Sequence, residues 1–493
     1  MFKKTENANP NYLATICKIE DIFPIEGADR LVRTVINGFD MVVSKDMKPG
    51  DTVLYFPVET AICEKFLSAN NLYELSEAHR NANGVEVENI LIAAQNESDS
   101  ANMKDLMDTA KSMCGFFNKR GRVRMLKLRG QYSMGFVIPV TTLLNAWPEL
   151  IDVNFEDHIG ESFDEVCKEV LCWKYVPVIK EPHKLCNPRD GRWKRLMRKT
   201  RERFDKLIEG QFEFHYDTKQ IENDIEILKP ETEVTVSVKV HGTSVILSNI
   251  LCNRKLSLWE KIKKFFGCNI ETTEYSNIYA SRKVIKNRYL AESSTDYYGT
   301  DIWGDVNKVF AQFLSPGMTV YGEIVGYLTG TSQYIQKNHD YGCQPGQWKF
   351  MPYRITLTGA DGSKTELSVL DVQDWISHIN ENFGDLPAYD DYKIKDVLMS
   401  MNILYVGELG GMYPMDQEHN FAKNLLQTMK EDTKWLLMEK NEPMCNNKVP
   451  REGVVIRINE DKVARARKLK SKAHYELEAK QHDKGETDIE ETA

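Results

Sequence analysis

Val234-Thr235-Val236-Ser237-Val238-Lys239-Val240-His241-Gly242-Thr243-Ser244 is the stretch from which the rest of the chain is best read. Valines recur at 234, 236, 238 and 240, and strict alternation of β-branched residues predicts a strand with one buried face. Lys239 and His241 then share the opposite face, and Gly242 ends the run. On its own this pattern describes a strand running into a surface turn at least as well as a reactive site. Later stretches of the chain change that balance.

Lys239-Val240-His241-Gly242 resembles the nucleotidyl-transfer motif of the covalent nucleotidyltransferases, the superfamily of RNA ligases, DNA ligases and capping enzymes. Most members carry Asp at the third position, and some RNA ligases carry His, as here. The resemblance implies that the Lys239 amine attacks the α-phosphate of ATP and keeps AMP as a phosphoramidate while pyrophosphate leaves. Free lysine titrates at about 10.4, so such an amine must be held unprotonated by nearby positive charge or by desolvation. A glycine beside the nucleophile lets the backbone approach the nucleotide.

Further stretches follow in the order the superfamily uses. Ser281-Arg282 sits where a Ser-Arg pair places its arginine near the acceptor phosphate. Met318 to Tyr327 reads as a strand with Glu323 between Gly322 and the apolar run. A carboxylate there is costly unless paired or bound to something. By resemblance Glu323 serves the ribose or a metal. Trp348 to Leu357 offers Tyr353 as the aromatic that stacks on adenine, but Arg354 replaces the acid that commonly follows. Arg451-Glu452-Gly453-Val454-Val455 matches the motif whose glutamate, here Glu452, binds the catalytic metal. In Ala466-Arg467-Lys468-Leu469-Lys470, a spacing of two puts Lys468 and Lys470 on one strand face. Two ammoniums facing one pocket repel unless an anion lies between them. An ATP triphosphate is such an anion, and the same field favours the neutral form of Lys239.

Outward from this core, residues 10–60 and 120–140 predict short strands separated by turns such as Lys48-Pro49-Gly50-Asp51, and hence a small barrel. The Ile25-Glu26-Gly27-Ala28-Asp29 corner resembles OB folds of the tRNA-binding type. Residues 61–119 between the halves predict a helical insertion with a polar loop. Arg122, Arg124, Lys127 and Arg129 make a basic edge, equally suited to an RNA backbone or to protecting an edge strand. Arg189 to Lys206 carries nine Lys or Arg against three acids, with Trp193 and Phe204 interleaved. Phe212 to Thr218 is a polar-aromatic run suited to lining a nucleotide pocket.

Composition sets the outer bounds. A chain of 493 residues is long enough for two or three domains, and its net charge of −9 argues against coating nucleic acid by bulk electrostatics. The ten cysteines form no Cys-x-x-Cys pair, and no apolar run approaches membrane-spanning length. A reducing, cytoplasmic setting, open to a virus-encoded origin, and no membrane partner are expected.

The expected architecture is α+β. An OB-like RNA-binding barrel takes 1–145, a linker and basic helical segment 146–210, and a nucleotidyltransferase domain of antiparallel sheets and helices 211–475. That domain is expected to carry insertions at about 250–275 and 360–448, followed by an acidic tail at 476–493. With the barrel in front, the layout resembles RNA ligases that seal nicks between a 3′-OH and a 5′-phosphate. The implied set is Lys239 as nucleophile, with His241, Gly242, Arg282, Glu323, Tyr353, Glu452, Lys468 and Lys470 around the nucleotide. Glu323 and Glu452 would hold Mg²⁺ or Mn²⁺, and the partner would be RNA, in nicked duplex, met by a monomer. A DNA ligase, a guanylyltransferase and a non-catalytic RNA-binding protein are the competing readings.

Overall fold

Short β-branched runs at the front of the chain pair where turn residues allow. In the computed structural model, which describes residues 1–6, 8–176, 206–286, 298–413, 421–458 and 465–483, β1 (Ala14–Lys18) pairs with β4 (Thr52–Pro57). Strands β2 (Leu31–Ile36) and β3 (Phe39–Ser44) form a hairpin closed by Asn37 and Gly38, both at positive φ (49° and 78°). That is the two-residue turn whose twist matches paired strands. β5 (Gly135–Pro139) pairs with β4, placing Phe136 opposite Phe56. Helices α1 (Glu64–Ala69), α2 (Gly84–Asn96) and α3 (Ser100–Ser112) fill the expected insertion.

Three sequence expectations for this part need correction. No closed barrel forms among the described residues. β5, β4, β1 and Ser162–Phe163 make one four-stranded sheet, and Phe23–Pro24, β2 and β3 make another of three strands. Residues 146–176 are no linker, since Trp147, Leu150, Phe155 and Phe163 pack into the same core as Ile16, Leu54 and Phe56. Arg122 leaves the basic edge altogether, because it is buried and its Nε and Nη2 donate to Glu59 at 2.9 and 2.6 Å.

The chain divides into two units, Met1–Pro177 with Lys219–Ile225, and Val178–Thr218 with Glu226–Ala493. The second is built on two antiparallel sheets. In one, β6 (Glu233–Lys239) lies between β11 (Ile403–Glu408) and β12 (Gly453–Ile458), with β13 (Arg465–Lys470) beyond β12. The other takes β7 (Thr243–Asn253) between β8 (Thr273–Ala280) and β9 (Met318–Gly326), then β10 (Trp348–Thr358) and Lys364–Glu366. Val234, Val236 and Val238 are buried as the alternation predicts, but Thr235 and Ser237 on the other face are buried as well, because this strand lies inside its sheet and not at a solvent-facing surface. Helix α4 (Leu258–Phe265) stands in the β7–β8 loop. Helices α5 (Ile302–Phe310) and α6 (Val369–Phe383) supply Trp303, Phe310, Ile376 and Ile379 to a core with Val245, Val320, Trp348 and Phe350.

The stretch at 360–448, expected as an insertion, contributes to the central sheet. Its β11 pairs directly with the Lys239 strand, Thr235 opposite Val406. The tail expected from Glu476 begins inside helix α7 (Lys472–Asp483). The basic segment at 189–206 lies, but for Lys206, outside the described residues, as does 484–493.

Candidate active site

The chain crosses from one sheet to the other at Lys239–Thr243. Lys239 closes β6, opposite Gly453 of β12, and Gly453 is opposite Lys470 of β13. Register alone therefore sets Lys239, Gly453 and Lys470 abreast, and Lys468 falls two residues along the same strand face. Gly453 has φ of +147°, and a Cβ there would lie 2.0 Å from the Leu469 carbonyl oxygen. Gly242 is held as tightly, since its Cβ would meet the Ile324 carbonyl at 2.5 Å and Glu323 Oε2 at 3.2 Å. These two motif glycines are needed for close approach of backbone to backbone.

Glu452, next to Gly453, is buried at the centre of this row. Its Oε1 lies 2.7 Å from Lys239 Nζ and 3.6 Å from Lys470 Nζ. Burial works to raise its carboxyl, but Lys239 first, then His241, His474 and Lys470, hold it well below the ordinary carboxylate range. Lys470 also reaches Glu478 of α7 at 2.6 Å. Although burial pulls it down, Glu478 and Glu452 keep its ammonium well above the usual lysine value. Lys468 is different. Burial, then Lys470 and Lys239, push it down to about 7. Lys239 is 16% exposed at its side chain, so the nucleophile expected from sequence is recessed but reachable.

Three histidines surround the same carboxylate. His241 Nδ1 stands 3.5 Å from Glu452 Oε2, and His474 Nε2 stands 3.9 Å from Glu452 Oε1. The His241 ring meets those of His339 and His474 edge-on at 4.7 and 4.9 Å. Local structure fixes each. The His241 amide donates to Tyr341 Oη (2.8 Å), and the His474 amide donates to Ser471 Oγ (3.2 Å) at the start of α7. Burial, then His241, push the His339 imidazole down to about 3.

The ligand atoms of His241, Glu452 and His474 all lie within 4.8 Å of one another. A tetrahedral site with bonds of about 2.0–2.1 Å has ligand separations of roughly 3.3–3.5 Å, so this donor set fits a divalent cation after small adjustments. Glu323, expected as a metal ligand, is not part of that group. It accepts from Ser244 Oγ at 2.8 Å and flanks Gly242.

The remaining expected residues gather in two places. Arg282 forms an ion pair with Asp217, and both act on the charge of Lys468. Tyr353 Oη lies 3.3 Å from His215 Nδ1, and His215 is kept well below its usual range by burial, then by Arg282 and Arg354. Arg354, where the resemblance calls for an acid, is buried. Its Nε donates to Glu366 at 2.9 Å, and its guanidinium lies 4.5 Å from the Tyr321 ring centroid. It is therefore held within the scaffold by Glu366 and the Tyr321 ring.

Sequence reasoning missed His339, His474 and Glu478 as neighbours of these residues, whereas Asp217 falls in the Phe212–Thr218 run read as lining a nucleotide pocket. His474 and Glu478 carried a weak signal, four residues apart on a helix that begins directly after Lys470. His339 lies in a loop with no periodicity to read.

A family model described as RNA ligase matches residues 232–472. Solved structures of Naegleria gruberi RNA ligase share the fold. A lysine-to-alanine variant with ATP and Mn aligns at TM-score 0.51 and 18% identity, covering 94% of this chain and 98% of that one. A lysine-to-methionine variant with AMP and Mn aligns at 0.52 and 18%, with the same coverage. The Naegleria ligase with pyrophosphate aligns at 0.50 and 18%, again with 94% and 98% covered. No curated protein matches the sequence. The family match and the shared fold together place residues 232–472 in the covalent nucleotidyltransferase superfamily. Those residues match the RNA ligase family, and that match together with the shared fold supports an enzyme of RNA ligation.

Proposed function

We propose that the chain is an ATP-dependent RNA ligase that joins a 3′-OH end to a 5′-phosphate end through a lysyl-AMP on Lys239. The observation that carries this reading is the row Lys239–Glu452–Lys470 with Lys468 beside it: one recessed amine, one buried carboxylate and two further cations on a shared strand face.

The chemistry runs in three displacements. Lys239 Nζ, relieved of its proton, bonds to the α-phosphorus of ATP as the bond to the bridging oxygen breaks, and pyrophosphate leaves. Lys468 and Lys470 offset the charge of the departing phosphates. A 5′-phosphate oxygen of RNA then bonds to the same phosphorus and the lysine nitrogen departs, leaving an RNA end capped by AMP through a 5′–5′ pyrophosphate. The 3′-OH finally attacks the 5′-phosphorus, its proton is lost and AMP leaves.

In the geometry described, Lys239 is held by Glu452 as an ion pair. A divalent cation held by Glu452 with His241 and His474 would compete with the Lys239 ammonium and offset phosphate charge, and two imidazoles beside one carboxylate suit Mn²⁺ better than Mg²⁺, which prefers oxygen ligands. Arg282 faces the RNA phosphate, Tyr353 stacks on adenine, and Glu323 positions Gly242 and the ribose. The N-terminal unit, with its OB-like strands and the exposed Lys127 and Arg129, tracks the RNA backbone of a nicked duplex.

Incubation with α-labelled ATP or GTP and Mg²⁺, followed by denaturing electrophoresis, tests this reading. Label from ATP that is lost in Lys239→Ala is expected. Label from GTP would instead indicate a capping activity, and absence of label would indicate a non-catalytic RNA binder.

A further inference from the structure

Helix α4 departs from the rule that large apolar side chains are covered. None of its residues is buried. Leu258, Trp259, Ile262, Phe265 and the capping Phe266 are 45–86% exposed. At about 100° per residue these five occupy one arc of roughly 120°. Lys261 and Lys263 fall on the two borders of that arc, Lys264 lies further round, and Glu260 is opposite. The single acid is also committed. It closes the capping box with Ser257 and pairs with Arg254 at 2.8 Å. The helix is thus fixed at its start and held clear of the sheet on the β7–β8 loop, presenting a wedge of aromatics flanked by ammoniums.

From this arrangement we propose that α4 is a membrane-surface anchor, which inserts its aromatic face into the interfacial layer of an anionic lipid bilayer while its lysines meet the headgroups. Trp and Phe on one face with Lys at the borders is the pattern by which a short helix lies in a bilayer surface, the lysine stems snorkelling back to the headgroups. Among the described residues no helix is long and apolar enough to cross a membrane, and a helix lying in the surface needs no such length. Charge selects the lipid. The chain as a whole carries −9, whereas Leu258–Phe266 carries three lysines against one acid, so this loop is oriented toward an anionic surface. The same lysines disfavour a second copy as the occupant, since face-to-face packing of two α4 helices would oppose like charges along both borders.

Flotation of the full chain with phosphatidylcholine vesicles, with and without phosphatidylserine, tests the proposal. The expected result is recovery with the anionic vesicles, about tenfold above that with neutral ones. Trp259→Ala/Phe265→Ala should reduce recovery about tenfold, and Lys261→Gln/Lys263→Gln should erase the preference for phosphatidylserine. Both variants should melt as the parent does, because every altered side chain is at the surface. No recovery with either vesicle overturns the proposal. So does recovery unaffected by Trp259→Ala/Phe265→Ala, which would be bulk electrostatics. A solution dimer dissolved by that variant, or RNA binding lost with it while vesicles are ignored, would assign the face to another occupant and overturn it equally.

Discussion

Glu452→Gln is the perturbation with the sharpest physical consequence. The substitution keeps the shape of a side chain that is 2% exposed and removes the one negative charge lying 2.7 Å from Lys239 and 3.6 Å from Lys470. Breaking a buried ion pair by neutralising one partner costs about 3–5 kcal/mol, because the other charge is left uncompensated. For a unit of this size, at about 2.1 cal/mol/K of unfolding entropy per residue, that corresponds to a melting temperature lower by roughly 5–8 °C. The sign of the rescue is the informative part. In the variant Lys239 loses its 2.7 Å carboxylate while Lys470 keeps Glu478 at 2.6 Å, so the row gains net positive charge and pyrophosphate should stabilise Glu452→Gln more than it stabilises the parent. Differential scanning fluorimetry at neutral pH, with and without pyrophosphate, measures both effects. An unchanged melting temperature, or pyrophosphate stabilising parent and variant equally, would refute the claim that this carboxylate organises the cationic row.

Further predictions follow from the same geometry. Lys468 is pushed down to about 7 from an ordinary 10.5. Between those values the folded protein holds fewer protons than the unfolded chain, so this group's contribution to stability grows as pH rises from about 7. A triphosphate beside it reverses the shift. Binding of an ATP analogue with a non-cleavable α,β bridge at pH 8 should therefore take up a proton, and affinity should weaken as pH rises. Calorimetry in buffers of differing ionisation enthalpy reads this uptake, which Lys468→Met should abolish. Gly242→Ala would drive a Cβ to within 2.5 Å of the Ile324 carbonyl. It should cost about 1–3 kcal/mol and reduce adenylation as well, measured by melting and by label transfer. Arg354→Ala should lower stability, since Glu366 would lose its 2.9 Å partner. If ATP affinity fell with stability unchanged, Arg354 would instead belong to the nucleotide pocket.

Much of the candidate site was legible because strand periodicity is local. The valines at 234–240 and the paired Lys468 and Lys470 needed only a period of two, and the glycines of both motifs announce close approach. What brings Lys239, Gly453 and Lys470 abreast is antiparallel register between segments more than two hundred residues apart, which no local pattern records. The same non-locality hid His339 and His474 around Glu452, and hid the return of Ile403–Glu408 to flank the lysine strand. Barrel closure failed as an expectation because short strands between turns specify pairing partners only loosely. A buried ion pair such as Arg122–Glu59 looks in sequence like any basic edge.

Peptide mapping by mass spectrometry, after the protein has met ATP and Mg²⁺ in its folded state, reaches the central claim most directly. A single adenylate on the peptide bearing Lys239, released by added pyrophosphate, is the result expected. Adenylate on Lys468 or Lys470, or none on the folded chain, would contradict it.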